Sequence, residues 1–100
     1  MIIYNITTKV HPAVDAAWLQ WQRLENIPDM MATGFFISYQ LCRLLEQDDS
    51  DGNTYALQYT TTAAQHQQYM HLQAAMMQQK AVEKWRDAVI SFSSVLQVIQ

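Results

Sequence analysis

Apolar and polar residues alternate along positions 1–10, with Ile2, Tyr4 and Ile6 on one side and Ile3, Asn5 and Thr7 on the other. A period of two predicts a strand. His11-Pro12 closes it, because proline has no donor for a ladder and suits a helix start. Between 13 and 27, Val14, Ala17, Trp18, Trp21 and Leu24 recur at helical spacing and form one stripe. Pro28 is expected to stop that helix, Met30 and Met31 to fill a short turn, and Gly34 to release the chain into a second strand from Phe35 to about Glu46. The turn-rich QDDSDGN and the run TYALQYTT at 54–61 complete a hairpin around Asp51-Gly52. Thr62 can cap a long helix over 63–86, with Tyr69, Leu72, Met76 and Trp85 among its apolar positions. A last strand follows at 88–99. The order βαββαβ is the split βαβ of an α+β, ferredoxin-like fold: a four-stranded antiparallel sheet with both helices on one face, in a single domain over 1–100.

Strand parity divides the sheet into two faces. Ile2, Tyr4, Ile6, Ile37, Tyr39, Leu41, Tyr55, Leu57 and Tyr59 are nearly all apolar or aromatic and should meet the helices. The other set, with Ile3, Asn5, Phe36, Ser38, Gln40, Cys42 and Gln58 as its centre, is too apolar for water and too polar for a dry core. It is the expected homodimer surface, where a second sheet packs.

Composition narrows the chemistry. Half of the 100 residues are hydrophobic and 15% are charged, which describes a globular chain. The net charge of −3, with six scattered Lys and Arg, offers no basic stripe for nucleic acid. No apolar run reaches the roughly 18–20 residues that span a bilayer, and the start MIIYNITTKV has neither a basic n-region nor a cleavage site. A soluble, cytoplasmic protein without membrane attachment is the expectation, and the single Cys42 suits a reducing compartment.

A W-x-x-W helix followed by I-P-x-M-x-x-T-G-F, in a βαββαβ chain of this length, resembles the dimeric α/β-barrel superfamily, which includes antibiotic-biosynthesis-type monooxygenases, muconolactone isomerase and stress-responsive barrel proteins. The chain is most similar to a short bacterial family of unknown function, on the residues Met1–Asn5, Trp18–Trp21, Ile27–Gly34 and Thr54–Thr60. The resemblance covers nearly the whole chain and implies a fold and a dimer, with no assigned reaction. Members often carry His directly before the I-P step. Here that position is Asn26, and a carboxamide cannot shuttle protons as imidazole does.

Other motifs resolve into structural roles. His66 and His71 lie five apart, about 140° around a helix, and do not converge on a metal. The acidic turn Asp48, Asp49, Asp51 fails as a calcium loop, since Gln47 and Gln58 fall where carboxylates are needed. Cys42 has no cation or imidazole base placed to activate it. No catalytic residue, metal or cofactor is therefore assigned. The aromatics remain: Tyr4, Tyr39, Tyr55 and Tyr59 on the sheet oppose Trp18, Trp21 and Trp85 on helices. They build either a filled core or a cleft for a flat apolar molecule, with Trp18, Trp21, Asn26, Met30, Tyr39 and Tyr59 as its candidate lining. The expected function is a homodimer that is non-enzymatic or binds a small apolar ligand. The alternative is a cofactor-independent monooxygenase or isomerase acting on a small aromatic or quinone-like substrate.

Overall fold

The computed structural model describes residues 1–100. Strands β1 (Ile2–Val10), β2 (Ser38–Arg43), β3 (Asn53–Thr61) and β4 (Val89–Gln97) form one antiparallel sheet in the order β2-β3-β1-β4. Helices α1 (Asp15–Trp21), α2 (Ile27–Ala32), α3 (Ala63–Leu72) and α4 (Ala74–Trp85) accompany it. This is the ferredoxin-like βαββαβ arrangement, and the two central strands β1 and β3 carry most of the buried sheet residues.

The helix-facing side follows the alternation. Tyr4 pairs with Tyr59 and Ile6 with Leu57. Tyr4, Ile27, Met30, Phe36, Leu57, Tyr59, Tyr69, Ala74 and Met77 form one buried cluster, and Val10, Trp18, Tyr55 and Trp85 form a second. Local chemistry sets the element ends. His11 Nδ1 accepts from the Ala13 N–H at 3.0 Å where Pro12 opens a short 3-10 turn. Thr62 Oγ1 accepts from the Gln65 N–H at 3.1 Å and caps α3. The β2–β3 connection is held by its own acids: Asp49 pairs with Arg43 at 2.9 Å and Asp51 with Lys9 at 2.7 Å.

Several expectations are corrected. Pro28 does not end the first helix. It stands at the start of α2, and the chain stays helical to Ala32, with Gly34 (φ 81°) as the exit. Proline lacks an N–H, and its ring crowds the carbonyl four residues back. The turn before it, Gln22–Asn26, widens to a π-helix, with the Ile27 N–H bonded to the Gln22 carbonyl. A π turn takes up one extra residue, which rotates everything downstream by about 100° relative to a regular helix. Ile27 and Met30 thereby face the sheet, 4% and 3% exposed, while Leu24 of the expected stripe is 67% exposed.

The long second helix is broken at Gln73 (φ −128°, ψ −29°) into α3 and α4. The second strand is shorter than expected at both ends, 38–43. Consequently Phe36 is not on the outer face. Residues 35–37 precede the ladder, where parity does not hold, and Phe36 turns inward against Tyr59 and Tyr69, with ring centroids 4.9 Å from each. Ile37, expected to face the helices, is exposed instead. The Thr61 hydroxyl, buried, donates to the Phe35 carbonyl at 2.6 Å and fixes this crossing.

Candidate ligand-binding cavity

Between the two aromatic clusters the layers do not close. A cavity of about 380 Å³ separates the β1–β4 half of the sheet from the helices. Its cause lies in side-chain size. On β1 and β4 the helix-facing register runs Thr8↔Ser91 and Ile6↔Ser93, and the short side chains of Thr8, Ser91 and Ser93 leave space beneath the helices. The Thr8 and Ser91 hydroxyls bond to each other at 2.8 Å and so satisfy themselves within the floor. The roof comes from α1, α2 and α4: Trp18, Trp21, Met30, Met77 and Trp85. Trp21 meets Trp85 edge-on at 5.7 Å, and Trp18 stacks on Tyr55 at 5.0 Å. Ser91, Ser93, Gln78 and Val82 are solvent-exposed lining residues, so the mouth opens between β4 and α4.

Two amides supply polar chemistry. Gln22 is buried, and its Oε1 accepts from Asn26 Nδ2 at 2.8 Å across the π turn. This bond leaves the Gln22 NH₂ and the Asn26 carbonyl oxygen for other partners. Tyr69, also lining the cavity, donates to Met30 Sδ at 3.2 Å. Burial pushes its phenol well above the ordinary range, so it is a neutral hydroxyl at any physiological pH. The Trp85 indole N–H is buried without a hydrogen-bond partner. No carboxylate, imidazole or thiol lines the cavity. The space can enclose a flat apolar body and hydrogen-bond to it, but it offers no group that exchanges a proton near neutral pH.

Of the residues expected to line a cleft, Trp18, Trp21, Asn26 and Met30 do so. Tyr39 and Tyr59 do not. Tyr59 is fully buried in the packed cluster, with its hydroxyl unpartnered and its phenol raised by burial, and Tyr39 lies half-exposed on the edge strand β2, away from the β1–β4 side. Sequence reasoning missed Thr8, Ser91, Ser93 and Arg86. The small polar residues at alternate positions of VISFSSV were the available signal, since they mark where a helix-facing strand cannot fill its layer.

On the outer face, Ile3, Asn5, Ser38, Gln40, Cys42 and Gln58 share one side of the sheet by register. Asn5 donates to Thr7 Oγ1 at 3.0 Å and to Ser94 Oγ at 3.4 Å, and its Oδ1 is buried without a partner. The edge strand β4 adds Ile90, Phe92 and Leu96, all exposed. No helix is long and apolar enough to cross a membrane, and no three His, Cys, Asp or Glu side chains cluster as metal ligands do.

Several solved structures share this architecture. A dimeric ferredoxin-like protein from an uncultured marine organism superposes with a TM-score of 0.65 at 10% identity, over 99% of this chain and 95% of that one. An ethd family protein from Bacillus halodurans gives 0.70 at 13% identity, over 99% and 100%. SnoaB, a cofactor-independent oxygenase from Streptomyces nogalater, gives 0.66 at 12% identity, over 99% and 94%. At such identities the likeness is one of fold. No curated protein matches the chain in sequence. Residues 1–99 match the pattern of DUF4286, described as a domain of unknown function, and the chain belongs to that family.

Proposed function

We propose that this protein is a homodimer that binds a small, flat, predominantly apolar molecule in the cavity between its sheet and helices. The observation that carries the reading is the cavity itself. About 380 Å³ lies toward the lower end of the roughly 300–1,000 Å³ of small-molecule sites. Apolar and aromatic side chains dominate its wall, with a few convergent polar groups, which is the usual build of such sites. Tryptophans at the wall make binding observable. Titration with 2-naphthol, a neutral flat probe, is expected to quench tryptophan fluorescence saturably. Ala81→Phe, which fills the space from the helix side, is expected to abolish the quenching while leaving the circular dichroism unchanged. Non-saturable quenching equal in both proteins refutes the site.

The dimer is supported by the exposed apolar residues of the outer face and by the dimeric ferredoxin-like protein of the same fold. Light scattering during size exclusion at micromolar concentration is expected to give twice the 11.6 kDa chain mass. A stable monomer refutes it.

A second reading, cofactor-independent oxygenation or isomerisation in the same cavity, is favoured by the Gln22–Asn26 amide pair, which can hold a carbonyl or enolate oxygen. The absence of a proton acceptor from the wall places it second. Oxygen consumption or spectral change with hydroxylated aromatic probes, lost in Asn26→Leu, would promote it.

A further inference from the structure

Among the residues lining the cavity, one carries a formal charge: Arg86, at the C-terminal end of α4. Three facts describe it. Like Arg23 and Lys84, and unlike Lys9, Arg43 and Lys80, it has no carboxylate within ion-pair distance. It is solvent-exposed at the rim, whereas the amide pair lies deeper, with Gln22 buried. Its backbone occupies φ 50°, ψ −125°, a region that favours glycine, and the only other non-glycine at positive φ is Glu46, in the hairpin loop. A glycine would make this turn at lower cost, so the Arg86 side chain sits at the cavity rim on a backbone that does not itself favour it. The surroundings sharpen its role. The chain is acidic overall, yet the cavity wall contains no negative group to compete for the guanidinium.

We infer that the ligand is an aromatic or fused-ring anion of one or two rings, its ring body enclosed by Trp18, Trp21 and Trp85 and its carboxylate, or an equivalent planar oxyanion, held by Arg86 at the mouth. A guanidinium offers two parallel donors that match a carboxylate. Water at the rim screens the pair, so the gain is moderate and shows as selectivity more than raw affinity. The inference rests on the cavity being a ligand site and specifies the ligand's class.

Fluorescence titrations with 2-naphthoate and its neutral isostere 2-naphthamide test it, with 2-naphthol as the reference for the cavity. Wild-type protein is expected to bind the naphthoate roughly threefold to tenfold more tightly than the amide. Arg86→Gly keeps the turn and relieves its backbone. It is expected to melt no lower than wild type and to lose the preference for naphthoate over the amide. Equal affinity for the two isosteres in wild type, or a preference that survives Arg86→Gly, overturns the anion assignment and leaves the cavity standing. Failure of all three probes to bind wild type overturns both.

Discussion

Gly52 closes the β2–β3 connection against β1 at φ 141°, and a Cβ there would lie 2.3 Å from the Val10 carbonyl oxygen. Backbone cannot yield as a side-chain tip can, so Gly52→Ala is expected to lower stability by about 2 kcal/mol or more, read from urea unfolding. His66 gives a different handle. Its ring leans on Tyr4 at 5.0 Å, its Nε2 is buried without a partner, and burial holds its pKa below the ordinary 6.5. The native state therefore resists protonation that the unfolded chain accepts. Stability is full above about pH 6.5 and declines as pH falls below it, because the unfolded state then binds more protons. The urea midpoint is expected to drop between about pH 7.5 and about pH 5.5, and His66→Leu to flatten that part of the slope. At this scale the sequence identified residue types well, Trp18, Trp21, Asn26 and Met30 among them. It left Tyr59 between core and cleft, since parity tells which face a tyrosine takes and not whether a helix lies directly over it.

Helix and sheet are joined at the second cluster by a side-chain bond as well as by packing. Tyr55 Oη donates to Asp15 Oδ1 at 2.8 Å, where Asn53 Nδ2 also donates at 3.3 Å, tying the first turn of α1 to β3. Burial and the Asp15 carboxylate both raise the Tyr55 phenol, so it stays a donor through the physiological range. Tyr55→Phe is expected to cost about 1–2 kcal/mol in urea unfolding while the stacking on Trp18 survives. Element order and the Thr62 cap were legible because they rest on local signals. Two features were not. Proline inside a helical pattern marks a disturbance, but whether the chain stops or widens depends on what Ile27 and Met30 gain by reaching the sheet. Phe36 and Ile37 exchange faces because the ladder begins at Ser38, and a ladder's start depends on its partner strand.

The two layers of the molecule expose unlike surfaces, and the outer sheet face is the one that lacks a cover. Ile90, 70% exposed and opposite Lys9 in the β1–β4 register, lies on that face away from the cavity lining. Ile90→Asp is expected to shift the protein to monomer in light scattering, with the 2-naphthol site retained. A dimer unaffected by the substitution places the interface elsewhere. Ferredoxin-like topology was legible at this scale from alternation and spacing alone. The cavity was not, because emptiness arises from the summed shortness of Thr8, Ser91 and Ser93 across two strands distant in sequence. The π turn finally imposes a rule of length on the chain. Loss of one residue between Gln22 and Asn26 would restore a regular helix yet swing Ile27 and Met30 about 100° off the core. The same loss in the exposed stretch 45–47 would shorten a loop. Tolerance to single-residue deletion is thus divided unevenly along these 100 residues, and one unforgiving place lies inside a helix that looks, from outside, continuous.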